Sequence, residues 1–361
     1  ENRYDYLNLN TCRFLWKQVK FPTATDTSNT TTQVLKEGEV QGSDVAAHST
    51  GILDIKTTIL PNADALFLTA IDKYGHELWR WTFPVNKLNQ ANEVLSPLSN
   101  KVTSTETENE LTVKAKNHTF IFSKRDGQLK GVSVNNHKIS FANGPRFIGA
   151  RRADRSLDQF YNHDDEKAKE KDRTYSEFPD AAVFTKLEVK EDGGNLIVTA
   201  NYKLGNLDKA QWTINPNGEA ALDYTYNFSG VVDLIGICFD YPEDQVISKR
   251  WLGAGPYRVW QNRIHGTQYD VWENDYNDPI PGETFTYPEF KGYFDSVSWM
   301  NIRTKEGTIS LTNETPDSYI GVYQPRDGRD RLLYTLPESG ISVLNVIPPV
   351  RNPPQARAAY R

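Results

Sequence analysis

VFTKLEVKEDGGNLIVTANY, residues 183–202, is the stretch that decides the fold. From Val183 to Val189 the odd positions hold valine, threonine or leucine, and most of the even positions up to Lys190 are charged. Successive side chains of a β-strand point to opposite faces, so this period of two is typical of a half-buried strand. Residues 191–195, EDGGN, follow, and glycine and asparagine tolerate the positive φ of a tight turn. The stretch therefore predicts an antiparallel hairpin.

The same alternation recurs on both sides of this hairpin. Apolar residues at 111, 113 and 115 alternate with polar ones at 112, 114 and 116. The turn sequences RDG at 125–127 and NPNG at 215–218 separate further strand-like runs. Helical periodicity is almost absent, and its best candidate, residues 164–172, lacks an apolar stripe and is interpreted as a solvated loop or one exposed turn. Short strands with a turn every ten residues or so predict an all-β, antiparallel sandwich architecture.

A change in composition predicts two domains. Residues 1–86 form a strand-rich unit whose size suits an immunoglobulin-like β-sandwich. Residues 87–101 are polar, contain the sequence SPLS at 96–99, and are interpreted as a linker. Residues 102–361 continue as one long series of strands, which requires very large sheets. Proline-rich residues 349–354 end the last strand, and we expect a frayed tail after them.

Charge and motif content exclude several classes of protein. The 41 Lys and Arg residues against 47 Asp and Glu give a net charge of −6, which argues against a nucleic-acid partner. No apolar run approaches the roughly 20 residues needed to span a bilayer. Cys12 and Cys238 are interpreted as buried free thiols. The sequence has no motif of a nucleophilic, phosphate-binding or zinc site, its six histidines are scattered, and we expect no metal and no cofactor.

The stretch from Trp251 to Trp299 is the richest in groups that could contact a sugar. Aromatic faces can cover the C–H faces of a sugar, while guanidinium, amide and carboxylate groups can bond its hydroxyls. The alternative is that these aromatic residues fill the core between sheets and that arginine pairs with glutamate beside them. The candidate carbohydrate-binding residues are Arg258, Trp260, Arg263, Trp272 and Glu289.

Short motifs along nearly the whole chain resemble, in order, the C-terminal region of β-galactosidase-like enzymes of glycoside hydrolase family 2. They are ENRYDYLNLN at 1–10, FLW at 14–16, LWRW at 78–81, FIFS at 120–123 with DGQL at 126–129, WLGAGP at 251–256 and YPE at 287–289. The resemblance implies an immunoglobulin-like sandwich followed by a large antiparallel supersandwich of the galactose-mutarotase type. The chain departs from the family after Pro256, where Arg258, Trp260 and Asn262 replace the Glu, Tyr and Asp that often precede an arginine, here Arg263.

The resemblance implies that the catalytic glutamates of a retaining enzyme lie in a barrel upstream of Glu1. We therefore expect this chain to be the non-catalytic C-terminal portion of such an enzyme and to be inactive alone. Its expected partners are that barrel and a carbohydrate. A bacterial periplasmic or extracellular location is favoured over a cytoplasmic one.

Two alternatives stay open. One is an independent carbohydrate-binding module, which the 251–299 stretch would serve. The other is a stand-alone mutarotase or polysaccharide lyase, since the supersandwich also carries those activities. Mutarotases resemble each other in having a pair of histidines and a glutamate base. The residues of this chain that could fill those three roles are His163, His265 and Glu289.

Overall fold

The computed structural model describes residues 1–26, 31–85, 101–152, 175–178, 180–275, 292–315, 317–322, 339–349 and 358–360. Every pair of strands within these ranges is antiparallel, so the predicted all-β, antiparallel fold is confirmed. Two 3₁₀ turns, Leu9–Thr11 and Glu243–Gln245, are the only helical elements in the described part of the chain. The loop expected at 164–172 and nearly all of the predicted linker lie outside these ranges, and the division into domains stays a prediction.

Four strands near the start of the chain form one sheet, here called the N-terminal sheet. Its order is β2-β1-β3-β4, with β1 at Arg13–Lys20, β2 at Gln33–Gln41, β3 at Ala65–Ile71 and β4 at Glu77–Pro84. Part of one face is covered by residues that follow β2. Gln18, fully buried in β1, holds them, because its amide nitrogen donates to the Thr58 carbonyl at 2.9 Å and its oxygen accepts from the Leu60 N–H at 2.7 Å. The buried amide is thus satisfied at both ends.

A second, much longer sheet forms the centre of the remaining chain and is called the large sheet. Its strands are β5 (Thr103–Glu106), β6 (Glu110–Ala115), β7 (His118–Ser123), β8 (Leu129–Val134), β9 (His137–Ile139), β10 (Ala142–Arg152), β11 (Tyr175–Glu177), β17 (Leu234–Asp240), β20 (Phe294–Asp295), β23 (Tyr319–Gly321) and β24 (Ile341–Val346). They follow each other across the sheet in the order β20-β23-β24-β17-β10-β8-β7-β6-β5, and β11 pairs with β10 and β9 with β8.

Four consecutive strands form a sheet that covers one face of the large sheet. They are β12 (Val183–Asp192), β13 (Asn195–Lys203), β14 (Leu207–Ile214) and β15 (Ala220–Tyr226). The hairpin predicted from residues 183–202 is confirmed, since Asp192 pairs with Asn195 across Gly193 and Gly194, whose φ values are 57° and 91°. Between the sheets, Trp212 packs edge-on against Phe122 and Phe239, with ring centroids 6.1 and 5.9 Å apart.

The last four-stranded sheet, called the tryptophan sheet, includes the ends of the 251–299 stretch, at Trp251 and Trp299, and residues 268–275 between them. Its order is β19-β18-β21-β22, with β18 at Val246–Gly255, β19 at Gln268–Asp275, β21 at Trp299–Thr304 and β22 at Gly307–Thr312. Two short strands, β16 (Gly230–Val232) and β25 (Ala358–Tyr360), pair separately.

The N-terminal sheet packs on the tryptophan sheet. Six buried apolar side chains meet there, and this group is called the inter-sheet cluster: Val19, Phe21, Ala65, Phe67, Leu252 and Trp299. Hydrogen bonds and an ion pair surround it. The Trp299 Nε1–H donates to the Pro22 carbonyl at 3.0 Å, and Arg80 pairs with Asp270 at 3.0 Å. Apolar burial and satisfied polar groups therefore join the two sheets directly.

Candidate carbohydrate-contact site

The base of the candidate site is the β18–β19 hairpin. Trp251 and Trp272 are cross-strand partners, but Trp251 is fully buried and Trp272 is half-buried. The Trp272 Nε1–H donates to the carbonyls of Gly253 and Gln268, at 3.2 and 3.1 Å. Its ring lies against Gly255, where a Cβ atom would come within 2.5 Å of the indole. The glycine thus permits the indole to lie across the end of β18, and Trp272 is positioned mainly by backbone.

Two of the sequence-predicted residues point into the protein. Arg258 and Trp260 are only 7% and 6% exposed. Val259, between them, exchanges backbone hydrogen bonds with Tyr293 at 2.7 and 2.8 Å. The Trp260 ring packs edge-on against Tyr293 with centroids 5.7 Å apart, within a buried apolar cluster on the large sheet. The indole of Trp260 is therefore a core side chain in this arrangement, and its faces are covered by protein.

Residues just before and after this buried segment face solvent. Tyr257 is 43% exposed, and Asn262, Arg263 and His265 are also exposed. Together they present an aromatic ring, an amide, a guanidinium and an imidazole on one loop between β18 and β19. Tyr257, Asn262 and His265 were not among the predicted sugar-binding residues. Pro256 was the available signal for them, because it ends β18 and places the following residues in a loop.

The five predicted residues therefore do not form one exposed cluster. Arg258 and Trp260 are buried, Arg263 is exposed, and Trp272 is half-buried in β19. Glu289 lies outside the described residues. The assignment of these residues to carbohydrate binding stays a prediction.

Acidic groups near the site do not form a buried catalytic pair in the described part of the chain. Retaining glycoside hydrolysis requires two carboxyl groups about 5–5.5 Å apart on either side of the scissile bond. Asp233 is the only fully buried carboxylate among the described residues. Burial raises the pKa of Asp295, and the nearby Asp317 raises it further, but Asp317 is exposed at the surface. The pair therefore lacks the enclosed setting that catalysis would use.

No group of three or more His, Cys, Asp or Glu side chains among the described residues could hold a metal ion. Cys12 and Cys238 are both buried free thiols, as predicted, and burial raises the pKa of Cys12. No helix in the described ranges is long and apolar enough to cross a membrane.

Comparison with known families gives the class of protein. A family model described as the beta galactosidase small chain matches residues 114–337. Because this match covers more than half of the chain, the protein belongs to the β-galactosidase small chain family. The match includes the large sheet, its covering sheet and the tryptophan sheet in most of their strands. No curated protein matches the chain.

Proposed function

We propose that this chain is the non-catalytic C-terminal portion of a retaining, β-galactosidase-like enzyme of glycoside hydrolase family 2. In this role it supports a catalytic barrel and borders its substrate cleft. The family membership supports a connection with β-galactosidases. The order of the sequence motifs along the chain supports the placement after the barrel.

The contact between the N-terminal sheet and the tryptophan sheet is the observation that carries the proposal. Domains of one chain usually move relative to each other unless a large apolar interface joins them. Here the inter-sheet cluster is buried and is flanked by the Arg80–Asp270 ion pair, whose side chains are mostly shielded from solvent. A rigid connection of this kind suits a support that must hold a catalytic domain in a fixed position.

The outer strand β4 of the N-terminal sheet offers a surface for such a partner. Trp79, Trp81 and Phe83 lie at alternate positions on one face of β4 and remain 36–46% exposed. Contiguous exposed apolar side chains commonly mark a protein contact. We assign this face to contact with the barrel.

The purified chain is expected to show no hydrolysis of nitrophenyl β-galactosides or related nitrophenyl glycosides above the buffer blank. The physical reason is that its described residues contain no enclosed pair of carboxylates. The measurement is the release of nitrophenol over a range of substrate concentrations, with a commercial β-galactosidase as the positive control. Saturable hydrolysis that follows the protein through purification would contradict the proposal.

A second candidate function is an independent carbohydrate-binding module. The exposed Tyr257 and Arg263 on the loop between β18 and β19 favour it. Calorimetric titration with galacto-oligosaccharides and with pectic or hemicellulosic fragments tests this alternative. Absence of heat at millimolar ligand across the panel would count against it.

The mutarotase alternative has less support. Of its trio, His163 and Glu289 lie outside the described residues, and His265 is exposed on the loop after β18. Accelerated equilibration of α-galactose in a polarimeter would favour this alternative over the support role.

A further inference from the structure

We propose that a lysine-lined cavity at the β5–β6 edge of the large sheet binds an anionic saccharide, carrying carboxylate or sulfate groups on neighbouring sugars. The cavity is a shallow depression that is largely open to solvent, with a volume of about 520 Å³, and it is lined by Lys101, Thr103, Lys114, Lys116 and Asn117. Ligand pockets in proteins usually have volumes of about 300–1,000 Å³. The choice of a saccharide over other polyanions rests on the proposed function, whereas the choice of an anion rests on the side chains themselves.

The strand register explains why the lysines converge. Thr103 of β5 pairs with Lys114 of β6, while Lys101 lies two residues before β5 and Lys116 directly follows β6. Side chains at alternate positions lie on one face, and directly opposite Cβ atoms are about 4.5–5.5 Å apart. Val102, Val113 and Ala115 are buried on the other face, so the three lysines share the solvent face.

This arrangement carries a concentrated positive charge that the chain does little to neutralise. Neither Lys114 nor Lys116 has an ion pair within the described ranges, and the Glu191 carboxylate lies 3.9 Å from Lys101 with both side chains mostly exposed. Exposed pairs of this kind contribute little. The cluster also stands out against a chain whose net charge is −6.

Lys116 and Asn117 form the two-residue turn between β6 and β7, and the φ of 53° at Lys116 is the positive value that such a turn requires. The pKa of the neighbouring His118 is lowered, first by burial and then by the charge of Lys116. The positive potential therefore reaches the histidine beside the cavity. Thr103 and Asn117 supply hydroxyl and amide groups that can bond sugar hydroxyls.

The test is calorimetric titration at low ionic strength with oligogalacturonate, a sulfated oligosaccharide and a neutral galacto-oligosaccharide. Citrate and a single-stranded oligonucleotide serve as control anions, because neither is a saccharide with carboxylate or sulfate groups on neighbouring sugars. We expect one or both anionic saccharides to bind, the neutral one not to bind at this site, and added salt to weaken binding. The variant Lys114→Gln/Lys116→Gln should bind about tenfold more weakly, as expected for the loss of two exposed charge contacts.

The matched control is Lys20→Gln/Lys73→Gln, which removes the same charge from exposed positions around the N-terminal sheet. This control should bind within about twofold of the unmodified chain, because its positions are not in the cavity. The cavity variant should also have an unchanged or higher melting temperature without ligand, since a like-charge repulsion is removed. The single variant Lys116→Gln repeats the binding test with a smaller change.

Equal affinity in the cavity variant and the control would overturn the proposal, as would no binding of either anionic saccharide. Binding of citrate or the oligonucleotide as tightly as the saccharides would show general anion binding and would overturn the saccharide assignment. None of these readouts depends on hydrolysis, so failure here and failure of the proposed support role are distinguishable.

Discussion

The Trp299→Ala chain should lose about 3–5 kcal/mol of stability, the usual cost of truncating a buried tryptophan, and should unfold in two steps with the N-terminal sheet first. Trp299 is 1% exposed and lies at the centre of the inter-sheet cluster. Its Nε1–H also donates to the Pro22 carbonyl at 3.0 Å, within a buried environment. Truncation therefore removes both apolar contact and the partner of a buried carbonyl.

Urea unfolding combined with amide hydrogen exchange measures this effect. Exchange in β1 and β3 should accelerate more than a hundredfold in Trp299→Ala if about 3 kcal/mol of local stability is lost. The more conservative Trp299→Phe keeps most of the apolar contact and loses the hydrogen bond, so it should cost about 1–2 kcal/mol.

Trp79→Ala is the matched control, because it truncates a tryptophan of the N-terminal sheet that is outside the inter-sheet cluster and is 36% exposed on the outer strand β4. It should change the free energy of unfolding by less than about 1 kcal/mol. A single unfolding step in Trp299→Ala, with a loss no larger than that of Trp79→Ala, would contradict the proposed coupling of the two sheets.

The second large loss of stability is expected at Trp260, which was predicted from the sequence to contact a sugar. We expect Trp260→Ala to destabilise the chain by about 3–5 kcal/mol, because its indole packs on Tyr293 in a buried cluster. Trp260→Phe should be much milder. The Trp260 Nε1 is buried, and no described residue accepts a hydrogen bond from it, so removing that N–H costs little.

Arg263→Ala provides the comparison, since Arg263 is exposed three residues further along. Its free energy of unfolding should stay within about 0.5 kcal/mol of the unmodified chain. If the loop binds sugar, calorimetry should show the loss of that binding in Arg263→Ala while the fold is intact. Normal stability in Trp260→Ala, together with lost sugar binding, would contradict the core role of Trp260.

Local structure was predictable from the sequence where neighbouring residues determine it. The β12–β13 hairpin is an example, because alternation in residues 183–190 and the glycines at 193 and 194 act over a few positions. The all-β class followed from many such segments. Free, buried Cys12 and Cys238 also followed from the scarcity of cysteine.

The orientation of the candidate site was not predictable, because it depends on contacts distant in sequence. Arg258 and Trp260 turn inward since Val259 pairs with Tyr293, and no local pattern reveals that pairing. The inter-sheet hydrogen bond from Trp299 to Pro22 spans 277 positions. The lysine cavity likewise requires the pairing of β5 with β6, which places Thr103 opposite Lys114, whereas the sequence shows only alternation.

If the N-terminal sheet and the rest of the chain act as one rigid support, they unfold together. Scanning calorimetry of the unmodified chain should then show one cooperative transition, with calorimetric and van't Hoff enthalpies in agreement. A separate early transition of about 60 kcal/mol, the enthalpy expected for roughly 85 residues unfolding alone, would contradict it.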